Sequence, residues 1–409
     1  MRIGFLFNHD QIHQVAHAAP VAAALARLRP DWRIVVAATT DALDAELDRL
    51  LGEPPANLER VRLGHRSATA RLATAALDRW LPAGKVTVYR DNLAFFRSLD
   101  ALVVAEKTSA ILRTRYGLTL PLIHTRHGAG DRAVGFDAAS AGFDHVLVSG
   151  PKIRDRLLAD AGIDRARTSI VGYPKFDTLA ADPPVLPLPP GRPTVLYNPH
   201  SSPALSSWFR DGPAVLDWFV AHPEWNLIFA PHVMLFERPV TLSLSPLALD
   251  RPGRMRARWR AAPNILIDLG SRASTDMTYT RAADLYLGDV SSQLYEFLLT
   301  PRPAVFLNSH GVDWRGRSDW AHWRSGEVIG GVDSLGGALA RATERHAEFR
   351  SEQEALFAAS IELTDERSSD RAARAIVAAL GGWRQRATMN GGNPPGSPTI
   401  QRRSRKPSP

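Results

Sequence analysis

The feature that most constrains the fold is the alternation of short apolar, β-branched runs with longer helical patterns along almost the whole chain. The runs occupy residues 3–7, 33–39, 99–106, 121–128, 145–150, 168–172, 193–198, 226–232, 264–269, 284–289 and 303–308. Strands that are apolar throughout are typical of parallel sheets covered by helices on both faces. The alternation therefore predicts an α/β protein with two doubly wound, Rossmann-like domains that face each other across a cleft.

A proline-rich segment divides the chain into these two domains. Residues 182–193 read DPPVLPLPPGRP, and six prolines in twelve residues exclude both a helix and a central strand. We therefore predict a first domain over 1–181, a linker over 182–193 and a second domain over 194–344. The helical stretch 345–380 is predicted to fold back on the first domain. No GxGxxG motif follows the first strand, so the nicotinamide-binding fingerprint is missing.

Charge and cysteine content exclude several classes of function. The 409-residue chain contains no cysteine, which excludes thiol catalysis, disulfides and thiolate metal sites. Residues 381–409 carry six of the eight net positive charges, so the rest of the chain is nearly neutral and does not resemble a nucleic-acid-binding protein. This basic, Pro/Gly/Ser-rich tail is predicted to be disordered. It is interpreted either as a solvated end or as a weak contact with anionic lipid headgroups.

The sequence also bears on the cellular location. No apolar run is long enough to span a membrane, and the first apolar run is too short for a signal peptide. We therefore expect a cytoplasmic protein.

The most informative segment for chemistry is 288–296, GDVSSQLYE. The pattern predicts a strand that ends at Asp289 and a helix that starts at Ser291 and Ser292 and continues through Leu299. Serines at a helix start suit a phosphate, although they are equally typical of simple N-capping. Glu296 is predicted one turn later on the same face, where its carboxylate can accept ribose hydroxyls.

Histidines follow predicted strands in both domains. In the first domain, His127 lies in a loop and is a candidate general base, with Asp131 to orient its imidazole and Arg132 to hold a phosphate. In the second domain, His232 and His200 end two predicted strands and are candidates for a base or a phosphate ligand. Each of these histidines is also compatible with a purely structural role.

Two further features allow more than one interpretation. The histidines at positions 9, 13 and 17 have helical spacing, but without a third ligand on the face shared by His13 and His17 they favour a polar helix face over a metal site. Lys175 follows the last strand of the first domain and is interpreted either as a cleft residue or as a solvated turn lysine.

Taken together, these motifs resemble the CDP-glycerol glycerophosphotransferase family, whose members polymerise teichoic-acid-like chains. The resemblance covers about 120–310. It rests on His127-Gly128, on the segment GYPKFD at 172–177, on His232 and on DVSSQLYE at 289–296. The chain departs from the family pattern where Ala230 replaces the arginine before the histidine, and where Lys175 replaces an arginine.

The resemblance implies a GT-B architecture with the donor held mainly by the second domain. It implies that a hydroxyl acceptor attacks the β-phosphorus of a CDP-alcohol, such as CDP-glycerol, and that CMP leaves. His127, Asp131 and His232 would then be catalytic. The donor phosphates and nucleoside would be bound by Ser291, Ser292, Glu296, Asp289, Lys175, Arg132 and His200. A lipid-linked or polymeric acceptor would bring peripheral contact with the inner face of the membrane.

Two alternatives stay open at this point. A GT-B glycosyltransferase or sugar-nucleotide epimerase that uses a UDP-sugar needs the same phosphate site. A non-catalytic nucleotide-binding protein would keep the cleft and lose turnover, as the alanine at position 230 suggests. No cofactor is assigned: Mg²⁺ is compatible with phosphoryl transfer, but no carboxylate pair identifies a site for it.

Overall fold

A computed structural model describes residues 1–8, 12–65, 83–126, 128–131, 133–182, 185–244 and 247–389. Its two large sheets are parallel throughout, and each belongs to one half of the chain. The doubly wound α/β class predicted from the alternating pattern is thereby confirmed.

The first sheet contains seven strands in the order β3-β2-β1-β4-β5-β6-β7. These are β1 (Arg2–Phe7), β2 (Arg33–Ala38), β3 (Leu58–Arg62), β4 (Ala101–Val104), β5 (Leu122–Thr125), β6 (His145–Val148) and β7 (Thr168–Ile170). The helices described in this half are α1 (Ala19–Leu28), α2 (Asp41–Leu51), α3 (Ala83–Asp91), α4 (Leu93–Arg97), α5 (Ile111–Thr114) and α6 (Pro151–Ala161).

The second sheet contains six strands in the order β12-β9-β8-β13-β14-β15. These are β8 (Thr194–Asn198), β9 (Asn226–Phe229), β12 (Ile265–Ile267), β13 (Leu285–Gly288), β14 (Ala304–Leu307) and β15 (Glu327–Ile329). A separate antiparallel hairpin pairs β10 (Thr241–Leu244) with β11 (Leu247–Asp250). The helices are α7 (Gly212–Ala221), α8 (Ala257–Ala261), α9 (Thr278–Ala282), α10 (Gln293–Phe297), α11 (Leu335–Glu344), α12 (His346–Ser360) and α13 (Ser368–Met389).

Both sheets reverse their strand order at one point, and these points lie at the cleft. In the first sheet the order reverses between β1 and β4, and in the second between β8 and β13. The carboxyl ends of such neighbouring strands leave a crevice that ligands occupy in open α/β folds. The central strands are buried on both faces, as β5, β9, β13 and β14 show along their whole length.

The C-terminal helices return to the first domain. Ala372, Ala373, Ile376 and Leu380 of α13 share a hydrophobic core with β1 and α1. The Ser149 hydroxyl, after β6, donates to the Ser360 carbonyl at 2.7 Å. These contacts make the last helices part of the first domain's packing.

The structure corrects the predicted start of the disordered tail. Helix α13 runs to Met389 and so includes 381–389, which the sequence had assigned to the tail. The Gly381-Gly382 pair does not end the helix, because good helix formers (Arg, Gln, Ala and Met) follow it and propagate the hydrogen bonding. Residues 390–409 lie outside the described part of the chain.

The segment 172–177 ties the first domain to α13. Gly172 has a φ of 79°, and a side chain there would meet the Ser368 hydroxyl and the Glu362 carbonyl. Asp177 accepts hydrogen bonds from the backbone amides of Ser368 and Ser369, at 3.3 and 2.7 Å, at the start of α13. The glycine and the aspartate of this motif therefore have a structural role.

His17 does not lie on the polar helix face that the histidine spacing predicts. Residues Ile12–His17 form a 3₁₀ helix that precedes α1, and the His17 side chain is buried against Tyr173, with ring centroids 4.8 Å apart. The tighter winding and the aromatic partner explain the burial, because an imidazole packs well edge-to-face on a phenol ring. His9 and the side chain of His13 lie outside the described part of the structure. Among the helices of the described segments, none is long and apolar enough to cross a membrane.

Candidate active site in the interdomain cleft

A cleft of about 500 Å³ lies between the two domains, at the carboxyl ends of their central strands. The first domain contributes the segment after β4, from Ala105 to Thr108, and the segment after β5. The second domain contributes the loops after β8, β9 and β13. The cleft thus lies where the two strand-order reversals predict a ligand site.

His200 and His232 lie side by side on the second domain's wall of this cleft. They follow the adjacent strands β8 and β9, and their ring centroids are 5.4 Å apart. The Nδ1 atom of His200 accepts the Ser202 amide at 2.8 Å, and that of His232 accepts the Met234 amide at 3.3 Å. Because Nδ1 is the acceptor in both rings, the proton of each neutral imidazole resides on Nε2, which makes Nε2 a donor.

Ser291 and Ser292 line the cleft next to these histidines. They follow β13, which is paired directly with β8, so the strand register brings the serines close to His200. Helix α10 begins at Gln293 and ends at Phe297, two residues earlier than the sequence predicted. A five-residue helix has little macrodipole, so any anion binding here depends on side chains and local amides rather than on the helix.

Asp289 lies beneath the cleft and organises the loop that carries His200. Its carboxylate is buried and accepts the His200 amide at 2.9 Å. It also accepts the amide and hydroxyl of Ser207, at 2.6 and 2.8 Å. Burial raises the pKa of Asp289, although these hydrogen bonds oppose that effect. Asp289 therefore fixes the relative position of the β8 and β13 loops.

Asp131 is the centre of a buried network that joins the two domains. Its Oδ1 accepts the Lys152 ammonium at 2.6 Å, and its Oδ2 accepts the Tyr295 hydroxyl. The Nδ1 atom of His322 lies 3.2 Å from the same Oδ2. Lys152 also donates to the Tyr295 hydroxyl at 2.8 Å. Asp131 and Lys152 belong to the first domain, whereas Tyr295 and His322 belong to the second.

The protonation of this network follows from its geometry. Burial alone would raise the pKa of Asp131, but the His322 hydrogen bond and the Lys152 charge outweigh it and lower this pKa to about 2. The Nε2 atom of His322 lies 3.0 Å from the Asp289 carbonyl. Both ring nitrogens of His322 thus face an oxygen atom, one in each domain. The Asp131 carboxylate stays ionised beside the Lys152 ammonium and the His322 imidazole.

Arg126 adds a further cation to the wall of the first domain. Its guanidinium donates to the Gly135 carbonyl at 2.6 Å and lies 4.7 Å from the centre of the Phe136 ring. Burial, assisted by repulsion from Arg156, lowers the pKa of Arg126 to about 10. The side chain stays charged at neutral pH, so the first domain's wall presents positive charge to the cleft.

Lys175 and Glu296 form a second buried bridge between the domains. The Lys175 ammonium lies 2.6 Å from Glu296 Oε1, and the Tyr173 hydroxyl donates to the same oxygen at 3.0 Å. Both charged side chains are at most 6% exposed, so the solvated turn lysine considered above is excluded. Lys175 lines a neighbouring cavity of about 660 Å³ that lies beyond His232 and Val233.

The structure brings most of the predicted site residues together. Asp131, His200, His232, Ser291 and Ser292 line the 500 Å³ cleft. Asp289 supports it from below. Lys175 and Glu296 do not line this cleft: Lys175 lines the neighbouring cavity, and Glu296 is buried against Lys175. The predicted base His127 and the predicted phosphate ligand Arg132 lie outside the described residues.

Sequence reasoning missed four residues of the site: Arg126, Lys152, Tyr295 and His322. His322 lies in a short 3₁₀ helix, Ser318–Ser325, between two buried tryptophans, and no strand end points to it. Tyr295 lies inside the motif at 289–296. A tyrosine on the predicted helix beside the cleft could have been recognised as a candidate site residue. Within the parts of the chain that the structure describes, no three histidine or carboxylate side chains are grouped to hold a metal ion.

The comparisons with known proteins place the fold. No family model and no curated protein matches the sequence. Among solved structures, the wall teichoic acid polymerase TagF, as a histidine variant soaked with CDPG, aligns at a TM-score of 0.59 and 13% identity. The alignment covers 93% of this chain and 89% of that one.

Two further matches are UDP-N-acetylglucosamine 2-epimerases. The Neisseria meningitidis enzyme bound to UDP-GlcNAc aligns at a TM-score of 0.55 and 11% identity, over 93% of this chain and all of that one. A Listeria monocytogenes protein assigned to the same activity aligns at a TM-score of 0.53 and 14% identity. The alignment covers 97% of this chain and 98% of that one. These alignments confirm the GT-B architecture, with two Rossmann-like domains across a cleft.

Proposed function

We propose that this GT-B protein is a transferase that moves glycerol phosphate, or a related polyol phosphate, from a CDP-activated donor to an acceptor hydroxyl. The acceptor is a lipid-linked or polymeric chain in cell-surface polymer synthesis, and CMP is released. The observation that carries the proposal is the pairing of His200 and His232 beside Ser291 and Ser292, on the wall of a cleft whose opposite wall holds Asp131 and Arg126.

The chemistry fits this arrangement. A CDP-alcohol presents two phosphates in a row, and four side-chain donors on one wall can bind their non-bridging oxygens. Attack of the acceptor hydroxyl on the β-phosphorus forms a new P–O bond, and the bond from this phosphorus to the CMP oxygen breaks. Such a transfer depends on positioning and on neutralising the charge of the leaving CMP rather than on a covalent intermediate.

The role of Asp131 on the first domain's wall follows from its protonation state. Asp131, with a pKa of about 2 and three donors bound to it, is a weak base. We therefore assign it to positioning: it holds His322 and Lys152 in place. The removal of the acceptor's proton is assigned to His127, as the family resemblance implies.

A UDP-sugar-dependent activity is the second candidate. The solved structures that share this fold include an epimerase with UDP-GlcNAc bound, and the buried Ala230 leaves the β9 loop without the arginine that the phosphotransferase motif carries. Glycosyl transfer or epimerisation would use the same donors for the UDP phosphates. The choice between the candidates depends on the nucleobase and on the product.

A ligand panel tests the proposal. CDP-glycerol and CDP should raise the midpoint of thermal unfolding more than UDP, UDP-GlcNAc and GDP at equal concentration. A ligand at a hundred times its Kd stabilises the folded state by about 2.7 kcal/mol. CMP release from CDP-glycerol in the presence of a polyol-phosphate acceptor then establishes turnover. A preference for uridine ligands would contradict the proposal and support the second candidate, and cytidine binding without CMP release would indicate a non-catalytic protein.

A further inference from the structure

A small hairpin on the second domain exposes leucines that are not part of a hydrophobic core. Strands β10 and β11 pair with each other and with neither large sheet. Leu242 faces Leu249 across the hairpin, and Leu247 lies two residues before Leu249 and therefore on the same face. Leu242 is 54% exposed, Leu249 is 68% exposed and Leu247 is 78% exposed. We call the two strands, Thr241–Leu244 and Leu247–Asp250, the leucine hairpin.

The exposure is concentrated in this part of the chain. Among the residues that the structure describes, eight large apolar side chains are exposed, and four of them lie between Met234 and Leu249. The opposite face of the hairpin packs inward, since Ser243 is buried. The outward leucines thus form a directed apolar face, whereas exposed leucines elsewhere, such as Leu363, occur singly.

A basic segment directly follows the leucine hairpin. Residues 251–260 read RPGRMRARWR and contain five arginines and no acid. All five arginine side chains are exposed. Arg256 and Arg258 share Asp217, whereas Arg251, Arg254 and Arg260 form no ion pair with any residue described. We call residues 251–260 the arginine segment.

The arginine segment is held firmly against the second domain. Trp259 is buried and donates its indole N–H to Asp217 at 2.5 Å. The Trp208 indole donates to the Pro252 carbonyl at 2.8 Å. These anchors fix the backbone at Pro252 and Trp259, while the arginines on either side of them stay exposed.

We propose that the leucine hairpin and the arginine segment together form a docking surface for an anionic lipid bilayer. Leucines insert into the boundary between headgroups and acyl chains, and adjacent arginines are attracted to anionic headgroups. This pairing of apolar and cationic side chains is the chemistry that such a surface recognises.

A second copy of the chain fits this surface less well. A twofold interface would place the same patch on both subunits, so the five arginines of one copy would face those of the other. Repulsion between them opposes that contact, whereas an anionic leaflet neutralises the charge. The leucine hairpin also begins nine residues after His232, a length of chain that reaches at most about 30 Å. Docking would therefore bring the cleft close to the bilayer surface.

The absence of cysteine makes a direct test practical. Leu247→Cys, labelled with an environment-sensitive NBD dye, reports on one position of the full-length chain without background thiols. With vesicles of phosphatidylcholine and phosphatidylglycerol at 2:1, the emission should shift to the blue and increase. Pure phosphatidylcholine should have a much smaller effect. Leu363→Cys, an exposed leucine outside the surface, is the control and should not respond.

The charges are tested by vesicle co-sedimentation. The triple variant Arg251→Gln, Arg254→Gln, Arg260→Gln should bind the anionic vesicles at least about tenfold more weakly. A variant with Arg402, Arg403, Arg405 and Lys406 changed to Gln separates this surface from the basic tail and should bind as the wild type does. Both variants should keep the thermal midpoint and the nucleotide affinity of the wild type, so vesicle binding is measured independently of the proposed transferase activity.

Three results would overturn the proposal. One is an NBD label at position 247 that does not respond to anionic vesicles. Another is vesicle binding that is lost only in the tail variant. The third is a change of oligomeric state, measured by light scattering, with vesicle binding intact. If the triple arginine variant or the double variant Leu247→Ser, Leu249→Ser gave this result, the surface would be assigned to self-association.

Discussion

The imidazole of His322 meets the carboxylate of Asp131 across the domain boundary, with Nδ1 and Oδ2 3.2 Å apart. Both side chains are almost completely buried, and Lys152 and Tyr295 complete the contact. Since charged groups lose hydration on burial, each depends on the others for compensation. The contact thus links the stability of the protein to the geometry of the cleft.

The substitution Asp131→Asn tests this dependence. It leaves the Lys152 ammonium without its counter-charge and His322 without its carboxylate partner, and loss of one partner from a buried ion pair costs about 3–5 kcal/mol. We expect the free energy of unfolding, measured by urea denaturation, to fall by that amount. Asp319→Asn is the matched control: Asp319 pairs with Arg156 at 3.1 Å but is 38% exposed, so it should cost about 1 kcal/mol or less. Equal effects of the two substitutions would contradict the assignment.

The same aspartate predicts a pH dependence. The folded-state pKa of Asp131, about 2, lies below its ordinary value of 3.8, so the ionised form stabilises the folded protein. This contribution, about 2 kcal/mol, is complete above about pH 5 and is lost as the pH falls toward 2. The wild type should therefore lose stability over this range more steeply than Asp131→Asn. The difference between the two curves isolates this residue from Asp289, whose raised pKa has the opposite effect. Parallel curves would show that Asp131 titrates normally.

The fold could be predicted from the sequence because its signal is local. Apolar runs such as those at 226–232 and 284–289 correspond to buried strands, and strand ends are where chemical residues such as His200 and His232 accumulate. The network around Asp131 could not be predicted, because its partners lie 21, 164 and 191 residues away. Only the packing of one domain on the other brings them together.

The difference between local and distant information also applies to Glu296. Its position on α10, after Ser292, could be predicted from the helix pattern and suggested a ribose contact. Its pairing with Lys175, 121 residues earlier, could not be predicted from the sequence, although both residues were assigned separately to donor binding. The ribose role stays a prediction.

A double-mutant cycle on this pair separates the two roles. Lys175→Met alone leaves the Glu296 carboxylate buried with only Tyr173 as a donor, and we expect a loss of about 3–5 kcal/mol in unfolding free energy. Lys175→Met with Glu296→Leu removes both charges and should recover most of that loss. Lys107→Met, which breaks an exposed pair with Asp137, is the control and should cost about 1 kcal/mol or less.

The folded double variant then reports on the nucleoside. If Glu296 binds the ribose, this variant should bind CDP more weakly in calorimetry while its unfolding midpoint stays near that of the wild type. Unchanged CDP affinity would assign the pair to domain docking alone.

The paired histidines carry the last prediction. His200 and His232 sit at the ends of neighbouring strands with Nε2 as the donor, and each can form one charge-assisted hydrogen bond to a donor phosphate. Such a bond is worth about 1.5–3 kcal/mol, so His200→Ala and His232→Ala should each weaken nucleotide diphosphate binding by about ten- to a hundredfold in calorimetry. His222→Ala is the matched control, because this histidine stacks on Trp218 away from the cleft. It should leave the affinity unchanged. If either cleft variant instead unfolds several degrees earlier and binds nucleotide normally once folded, that histidine only supports its loop, and the phosphate site must be sought elsewhere in the cleft.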